Sequence, residues 1–384
     1  MRPASGVATL PGMSSTSTSR VTGDVLLVGS MPFETAAEAM RLSGEKIGPY
    51  VPSLPDGETG DRVTWVGFLP LRIFSAHPDL IETNRPAGGL EQPDHDDSEE
   101  ARPAADSNQL WTFRVKPGVT DLRFEDLGYA RFALESYETF KGLRDEGVIP
   151  AGVRFQVCLP GASSAIDAFF DDTSEWPMVH AAYIERIGRE IERMLEAIPA
   201  EDLVIQFDFA WEVVDLAIGD GSYFPFWPAD TVDEKYVRHG ALIADITKVV
   251  PEDVPVGYHW CYGTWGGWPM TAMEDLALCV RLSNETVANA GRRVDYVHMP
   301  VVRHPGPDFF TPLDDLDIGD TRVYLGLIHH TDGVDGNHER IEAARKHLAD
   351  FGIGSVCGYG RVDPSELPVV LDVHASCARD MRAA

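Results

Sequence analysis

The feature that most narrows the fold of this chain is an alternation. Short β-branched or apolar runs recur along its 384 residues at about 24–29, 48–52, 153–159, 203–208, 254–261, 294–299, 322–328 and 353–357. Runs of this length, bounded by Gly, Pro and polar residues, read as buried strands. Stretches with helical spacing lie between them, at about 177–198, 233–249, 271–289, 338–351 and 365–381. In the clearest, Val179, Tyr183, Ile184, Ile187, Ile191, Met194, Leu195 and Ile198 form one apolar stripe among Glu and Arg. Asp230-Thr231 and Thr271 are expected N-caps, and Gly352 an expected helix stop. Strands and helices in this order and number predict an α/β fold, a single (β/α)8 TIM-type barrel. A doubly wound open sheet is the rival, but no G-x-G-x-x-G follows the first run.

One barrel is expected over 23–384. It follows a Ser-, Thr- and Gly-rich segment, 1–22, expected to be disordered. The stretch at about 53–150 is too long for a single βα loop and is read as an insertion after the second strand. It contains an acidic, Pro-rich run at 91–106, expected to be a solvated loop, a strand-like patch at 111–115 and a helix near 129–145.

Charge then excludes partners. With 32 Lys+Arg against 61 Asp+Glu, a formal charge of −29 repels nucleic-acid backbones and anionic membrane surfaces. The apolar run Val25-Leu26-Leu27-Val28 is far short of a membrane span, and no secretory pattern surrounds it. Five widely spaced Cys do not form a disulfide framework. A reducing, cytoplasmic setting is expected, with thiols free to act as ligands.

A barrel of this type places its chemistry at the C-terminal ends of its strands. Those positions here hold Gly29-Ser30-Met31-Pro32, Asp56-Gly57-Glu58, Cys158, Gln206-Phe207-Asp208, His259-Trp260-Cys261, His298, His329-His330 and Cys357-Gly358. His259 and Cys261 lie two apart on a strand and therefore share a face. Two thiolates and an imidazole suit Zn2+, and three protein ligands with one open position is the catalytic pattern. The competing reading makes the cysteines small core hydrophobes and His259 a buried, hydrogen-bonded histidine.

Taken together, these motifs resemble the cobalamin-independent methionine synthase family, within the superfamily that includes uroporphyrinogen decarboxylase. Gly29-Ser30-Met31-Pro32 resembles that family's G-S-x-P, Gly57-Glu58 its G-E and Gln206-Phe207-Asp208 its Q-I-D. His259-Trp260-Cys261-Tyr262 resembles its H-x-C-Y, and Cys357-Gly358 its C-G. The resemblance implies zinc on His259, Cys261 and Cys357, and a small amino-acid thiol facing Gly29, Ser30, Glu58 and Asp208. It implies transfer of a methyl or alkyl group from a donor to that thiol.

The chain also departs from the family. Where the family has a strand-six Glu ligand, this sequence reads Val297-His298-Met299-Pro300, and His298 is either a substitute ligand or a pocket wall. Strand seven ends in His329-His330-Thr331-Asp332, which offers acid–base candidates but not the family's arrangement. Of the basic run after Cys357-Gly358 only Arg361 is kept in kind, and Phe209-Ala210 replaces Glu-Pro. Methionine synthesis itself is therefore expected to be weak or absent. The loops beyond strands four and five are rich in aromatic residues, among them Trp211, Trp227, Tyr262 and Trp265. They either pack on the barrel top or form a stacking surface for a planar aromatic substrate. Gly263, Gly266 and Gly267 would let the fifth loop act as a lid. Catalytic roles fall to Asp208, His298, His329 and His330, and substrate contacts extend to Trp211, Trp227, Tyr262 and Arg361. Two alternatives keep the barrel: a metal-independent lyase or decarboxylase, and a non-catalytic small-molecule binding protein.

Overall fold

The computed structural model describes residues 22–87, 109–265 and 267–384. The disorder expected of 1–22 (Thr22 apart), the acidic run at 91–106 and Gly266 lie outside the described residues. Strands β1 (Val25–Leu26), β2 (Ser53–Pro55), β3 (Leu80–Asn84), β4 (Thr112–Val115) and β5 (Arg154–Pro160) come first. They are followed by β6 (Leu203–Phe209), β7 (Val256–Trp260), β8 (Tyr296–Pro300), β9 (Arg322–Ile328) and β10 (Gly352–Ser355). Strands β3 and β4 form an antiparallel hairpin. The other eight form one sheet in the order β1-β10-β9-β8-β7-β6-β5-β2, with every ladder parallel. This is the (β/α)8 barrel, with β1 and β2 at its seam. Across the seam Met31 N donates to Gly57 O at 2.8 Å, and Gln156 Nε2 on β5 donates to Leu27 O at 2.9 Å.

The helices are α1 (Ala36–Ile47), α2 (Tyr129–Asp145), α3 (Ala162–Ile166), α4 (Trp176–Leu195) and α5 (Trp211–Ala217), then α6 (Val232–Thr247), α7 (Ala277–Asn289), α8 (Gly333–Arg345) and α9 (Leu367–Ala383). Helix α4 buries Val179, Tyr183, Ile187, Ile191 and Met194 from the expected stripe. Thr35 and Thr231 close capping boxes with Glu38 and Glu234, satisfying first-turn N–H groups of α1 and α6. Among the described residues no helix is long and apolar enough to cross a membrane.

Three local expectations are corrected. The run at 48–52 is not the second strand: Gly48–Tyr50 is a 3-10 turn prolonging α1, with Pro49 in its second position, where its missing N–H costs nothing, and β2 follows at Ser53–Pro55. The second strand thus lies inside the segment read as an insertion, and the extra chain begins after it. Thr271 caps no helix, because α7 starts at Ala277. Gly352 is not a helix stop but the first residue of β10, where a Cβ would strike the Tyr324 ring. Gly257 meets Tyr296 in the same way, so the barrel floor is filled by tyrosines set against glycines.

Candidate active site

The strand ends converge on a pocket with a free volume of about 570 Å³, lined by Ser30, Glu58, Asp208, His259, Cys261, Cys357 and Arg361 among others. Alternation along β7 explains the first pair. Trp260 points outward, fully buried, its Nε1 donating to Ser283 Oγ on α7 at 2.8 Å and its ring 5.2 Å from Phe209. That anchor fixes the register and turns His259 and Cys261 inward. Cys357 reaches the same point from the end of β10, where Ser355 Oγ donates to Cys357 O at 2.6 Å and shapes the turn.

The two sulfurs stand 3.6 Å apart, and ligand atoms of His259, Cys261 and Cys357 all lie within 4.8 Å of one another. His259 Nε2 is buried and has no hydrogen-bond partner among the described residues. Its Nδ1 lies 2.7 Å from Nδ1 of His298, the residue opposite it on β8. The Cys357 thiol is pulled well below its usual range by its hydrogen bond with Cys261 and then by His259 and Arg361, against burial. Cys261 is pushed up by that same bond and by burial. A lone buried imidazole nitrogen beside two coupled thiols is a donor set that fits zinc, and a second thiolate forms there readily only beside a cation.

The facing wall is acidic. Burial pushes the Glu58 carboxyl up to about 8; Arg62 opposes this, and Asp56 and Cys357 add to it. Burial and then Glu58 hold the Asp208 carboxyl well above its usual range, while Gln206 Nε2 donates to Asp208 Oδ1 at 2.8 Å. Gln206 is itself fixed by Tyr296 OH at 2.9 Å and by its own bond to Val28 O at 2.6 Å. Glu58 sits in a tight turn with φ +49°, after Gly57 at +80°. Its N–H donates to Asp56 Oδ1 at 2.9 Å, and Asp56 is held in turn by Arg62 and Ser136. Gly29 keeps room for this carboxylate, since a Cβ there would lie 2.8 Å from Glu58 Oε2.

The structure brings together Gly29, Ser30, Glu58, Asp208, His259, Cys261, Cys357 and Arg361. Trp211 lines an adjoining cavity instead. Other expected residues lie elsewhere. His298 stands behind His259, so its ring meets the imidazole rather than the pocket. His329 is buried with Nε2 2.8 Å from Val301 O, and burial pushes its pKa down to about 3. His330 faces Glu366 at 3.4 Å on the rim. Trp227 is locked under Trp211 with Nε1 donating to Asp167 O at 3.0 Å. The Tyr262 side chain turns to Cys279 and a separate surface groove. For the histidines and Tyr262 the strand end was placed well, but the side chain's direction follows a partner distant in sequence; Trp227 lies between α5 and α6.

Sequence reading missed Arg62, which neutralises Asp56, and Trp65, which lines both cavities with φ +53°. Both come from the chain after β2, where no periodicity marks them; the six-residue step from Asp56 to Arg62 was the single available signal.

No family model matches the sequence, and no curated protein sequence matches it. Solved structures do. A B12-independent methionine synthase from Shewanella sp. W3-18-1, in complex with selenomethionine, superposes with a TM-score of 0.60 at 14% identity, covering 94% of this chain and 98% of that one. A methyltransferase from Methanosarcina mazei gives a TM-score of 0.49 at 12% identity, covering 96% of each chain. At this identity the likeness is one of fold, and this chain shares the barrel of the B12-independent methionine synthase.

Proposed function

We propose that this protein is a zinc-dependent enzyme that transfers a methyl or alkyl group to a small thiol. The observation that carries this reading is the convergence of His259, Cys261 and Cys357, within 4.8 Å of one another, beneath a pocket walled by two carboxyl groups. His259, Cys261 and Cys357 would hold the ion. Zinc bound there supplies the Lewis acidity that lowers the pKa of a substrate thiol. Glu58 and Asp208 face the pocket as buried carboxyl groups and suit an ammonium, whose charge favours their ionised forms. Ser30 and Arg361 offer donors to a carboxylate; the Ser30 backbone N–H is engaged with Glu58, leaving its hydroxyl. Selenomethionine in the Shewanella protein is an amino acid of that shape. Gln206 holds Asp208 in place to receive or return a proton as the thiol is alkylated.

The lyase alternative takes Asp208 and the histidines as acid and base; Asp208 lines the pocket, whereas His298, His329 and His330 do not. The test is elemental analysis of protein purified without chelator, with calorimetric titration of L-homocysteine. About one zinc per chain and saturable homocysteine binding, both lost in Cys261→Ser, are expected. Metal-free protein that takes up no added zinc would overturn the reading.

A further inference from the structure

The three residues of the sulfur and imidazole cluster are not held alike. His259 is paired within the sheet on both sides, with Asp208 and with His298. Cys261 N donates to Phe209 O at 2.9 Å, so it too is fixed by a backbone bond to the neighbouring strand. Cys357 lies beyond the last residue of β10, Ser355. The ladder between β10 and β9 shifts register between Ile353 and Ser355, a bulge that turns the strand end. Gly326 on β9 permits that approach, since a Cβ there would lie 2.9 Å from Ser355 O. From this point side chains steer the chain. Ser355 Oγ donates to Cys357 O at 2.6 Å. Burial pushes the pKa of the Tyr359 phenol up, and the same Ser355 hydroxyl, as its hydrogen-bond neighbour, opposes the shift. Tyr359 N donates to Ser30 O at 2.6 Å, and Tyr359 OH lies 2.6 Å from Nε2 of His374 on α9.

Packing alone does not account for His374. It is fully buried, and burial pushes its pKa down to about 3, so the ring is neutral. Its Nδ1 has no hydrogen-bond partner among the described residues. A buried polar atom left unmet lowers stability, and a Leu or Phe would carry no such penalty. What the imidazole supplies, and an apolar side chain cannot, is one directed bond to Tyr359. We propose that His374 is a positioning residue for the zinc site, and that through Tyr359 and Ser355 it sets the Cys357 arm in place before the ion binds. The inference rests on the zinc of the reading above and not on its thiol substrate. His259 and Cys261 form a half-site already fixed by the sheet. Cys357 is the ligand that would otherwise be ordered at the moment of binding, and that ordering lowers affinity. Neither Tyr359 nor His374 lines the pocket, so both act through Cys357.

The experiment sets zinc affinity, measured by competition with a chromophoric chelator, against the melting temperature of the metal-free protein. Tyr359→Phe and His374→Phe should each weaken zinc binding about tenfold, as the loss of a group that holds a ligand in place commonly does. The double variant should bind no more weakly than either single one, because both changes remove the same bond. Its metal-free melting temperature should equal or exceed that of wild type, since two apolar rings leave neither partner unmet. A pair that only stabilised the fold would not give weaker zinc binding without destabilisation. His374→Gln, whose amide reaches for the same hydroxyl, should stay within about threefold of wild type in zinc affinity. A folded double variant that holds zinc within about threefold of wild type overturns the proposal. If the double variant does not fold, Tyr359→Phe decides by the same criterion. Wild-type protein that takes up no zinc overturns this inference together with the reading it rests on. The expected zinc effects in a protein that binds no homocysteine remove the thiol reading alone.

Discussion

Two polar clusters in this molecule use the same residue types to opposite ends. Between α3, α5 and α6, Asp215 meets Lys235 at 3.0 Å, Arg238 at 2.8 Å and His239 Nε2 at 2.9 Å, and Ser163 Oγ lies 3.2 Å from His239 Nδ1. A Ser, a His and an Asp in line have the outline of a nucleophilic triad, yet all three are fully buried. The charges there are matched, and the basic neighbours hold the Asp215 carboxyl below its usual range against burial. At the barrel mouth the balance is reversed. Among the described residues His259 Nε2 has no hydrogen-bond partner, two carboxyl groups are held above their usual range, and a cavity opens over them. Residue identity does not separate the clusters; unmet bonding capacity with space beside it does.

The comparison breaks most sharply at the sulfurs. Cys261→Ser and Cys357→Ser should each lose nearly all bound zinc and all thiol alkylation while remaining folded, as metal analysis and circular dichroism would show. Retention of stoichiometric zinc by both would move the mouth cluster into the same class as the sealed one. The converse variant, Asp215→Ala, leaves the buried Lys235 ammonium without its counter-charge and should cost about 3–5 kcal/mol of stability by denaturant unfolding. Its folded fraction should keep full zinc. A stable Asp215→Ala with impaired turnover would instead make the sealed cluster functional.

Asp208→Asn separates folding from function. It should melt normally and keep its metal, yet lose about 100-fold or more in turnover, about 2.7 kcal/mol of barrier. Activity within about threefold of wild type, about 0.7 kcal/mol, would remove Asp208 from the reaction. His298→Ala takes the hydrogen bond from behind His259. Zinc affinity should fall about tenfold or more in a chelator competition, the usual effect of losing a partner behind a ligand.

The smallest effect is a pH slope. Glu58 has a folded-state pKa of about 8 against 4.5 for the free side chain, so the folded state binds the extra proton between those values. Its contribution to stability is therefore full below about 4.5 and is lost as pH rises toward 8. Metal-free protein should show a melting temperature that declines over this window, and Glu58→Gln should flatten the decline. An unchanged slope in that variant would assign the titration to another group.

Much of the mouth could be read from the chain because strand geometry is local. The two-residue step from His259 to Cys261 guarantees a common face, and the order of strand ends brings Cys357 to the same rim. Asp208, at the end of β6, was legible for the same reason. What could not be read depends on contacts distant in sequence. The Trp265 ring borders a cavity also lined by Leu110 and Phe169, and nothing local announces that meeting. His298 stands on the expected strand, but its ring is directed by the His259 bond and by Gly354, where a Cβ would lie 3.1 Å from His298 Nε2. The second strand was misplaced because a 3-10 turn and a short strand share apolar composition, and Pro49 fits the first turn better than a ladder.

The seam of the barrel has a kinetic consequence. Strands β1 and β2 are the ends of the sheet order, and among the described residues no ladder pair joins them. Gly29 and Ser30 follow one side of this seam and Glu58 the other. Amides at the seam have fewer bonds to break before opening, so their hydrogen exchange should be the fastest of the barrel sheet. A ligand gripped by Ser30 and Glu58 together would bridge the two sides. Slowed exchange at Leu26 and Leu54 on ligand addition, on strands that do not themselves line the pocket, would then record occupancy as a mechanical closure of the cylinder.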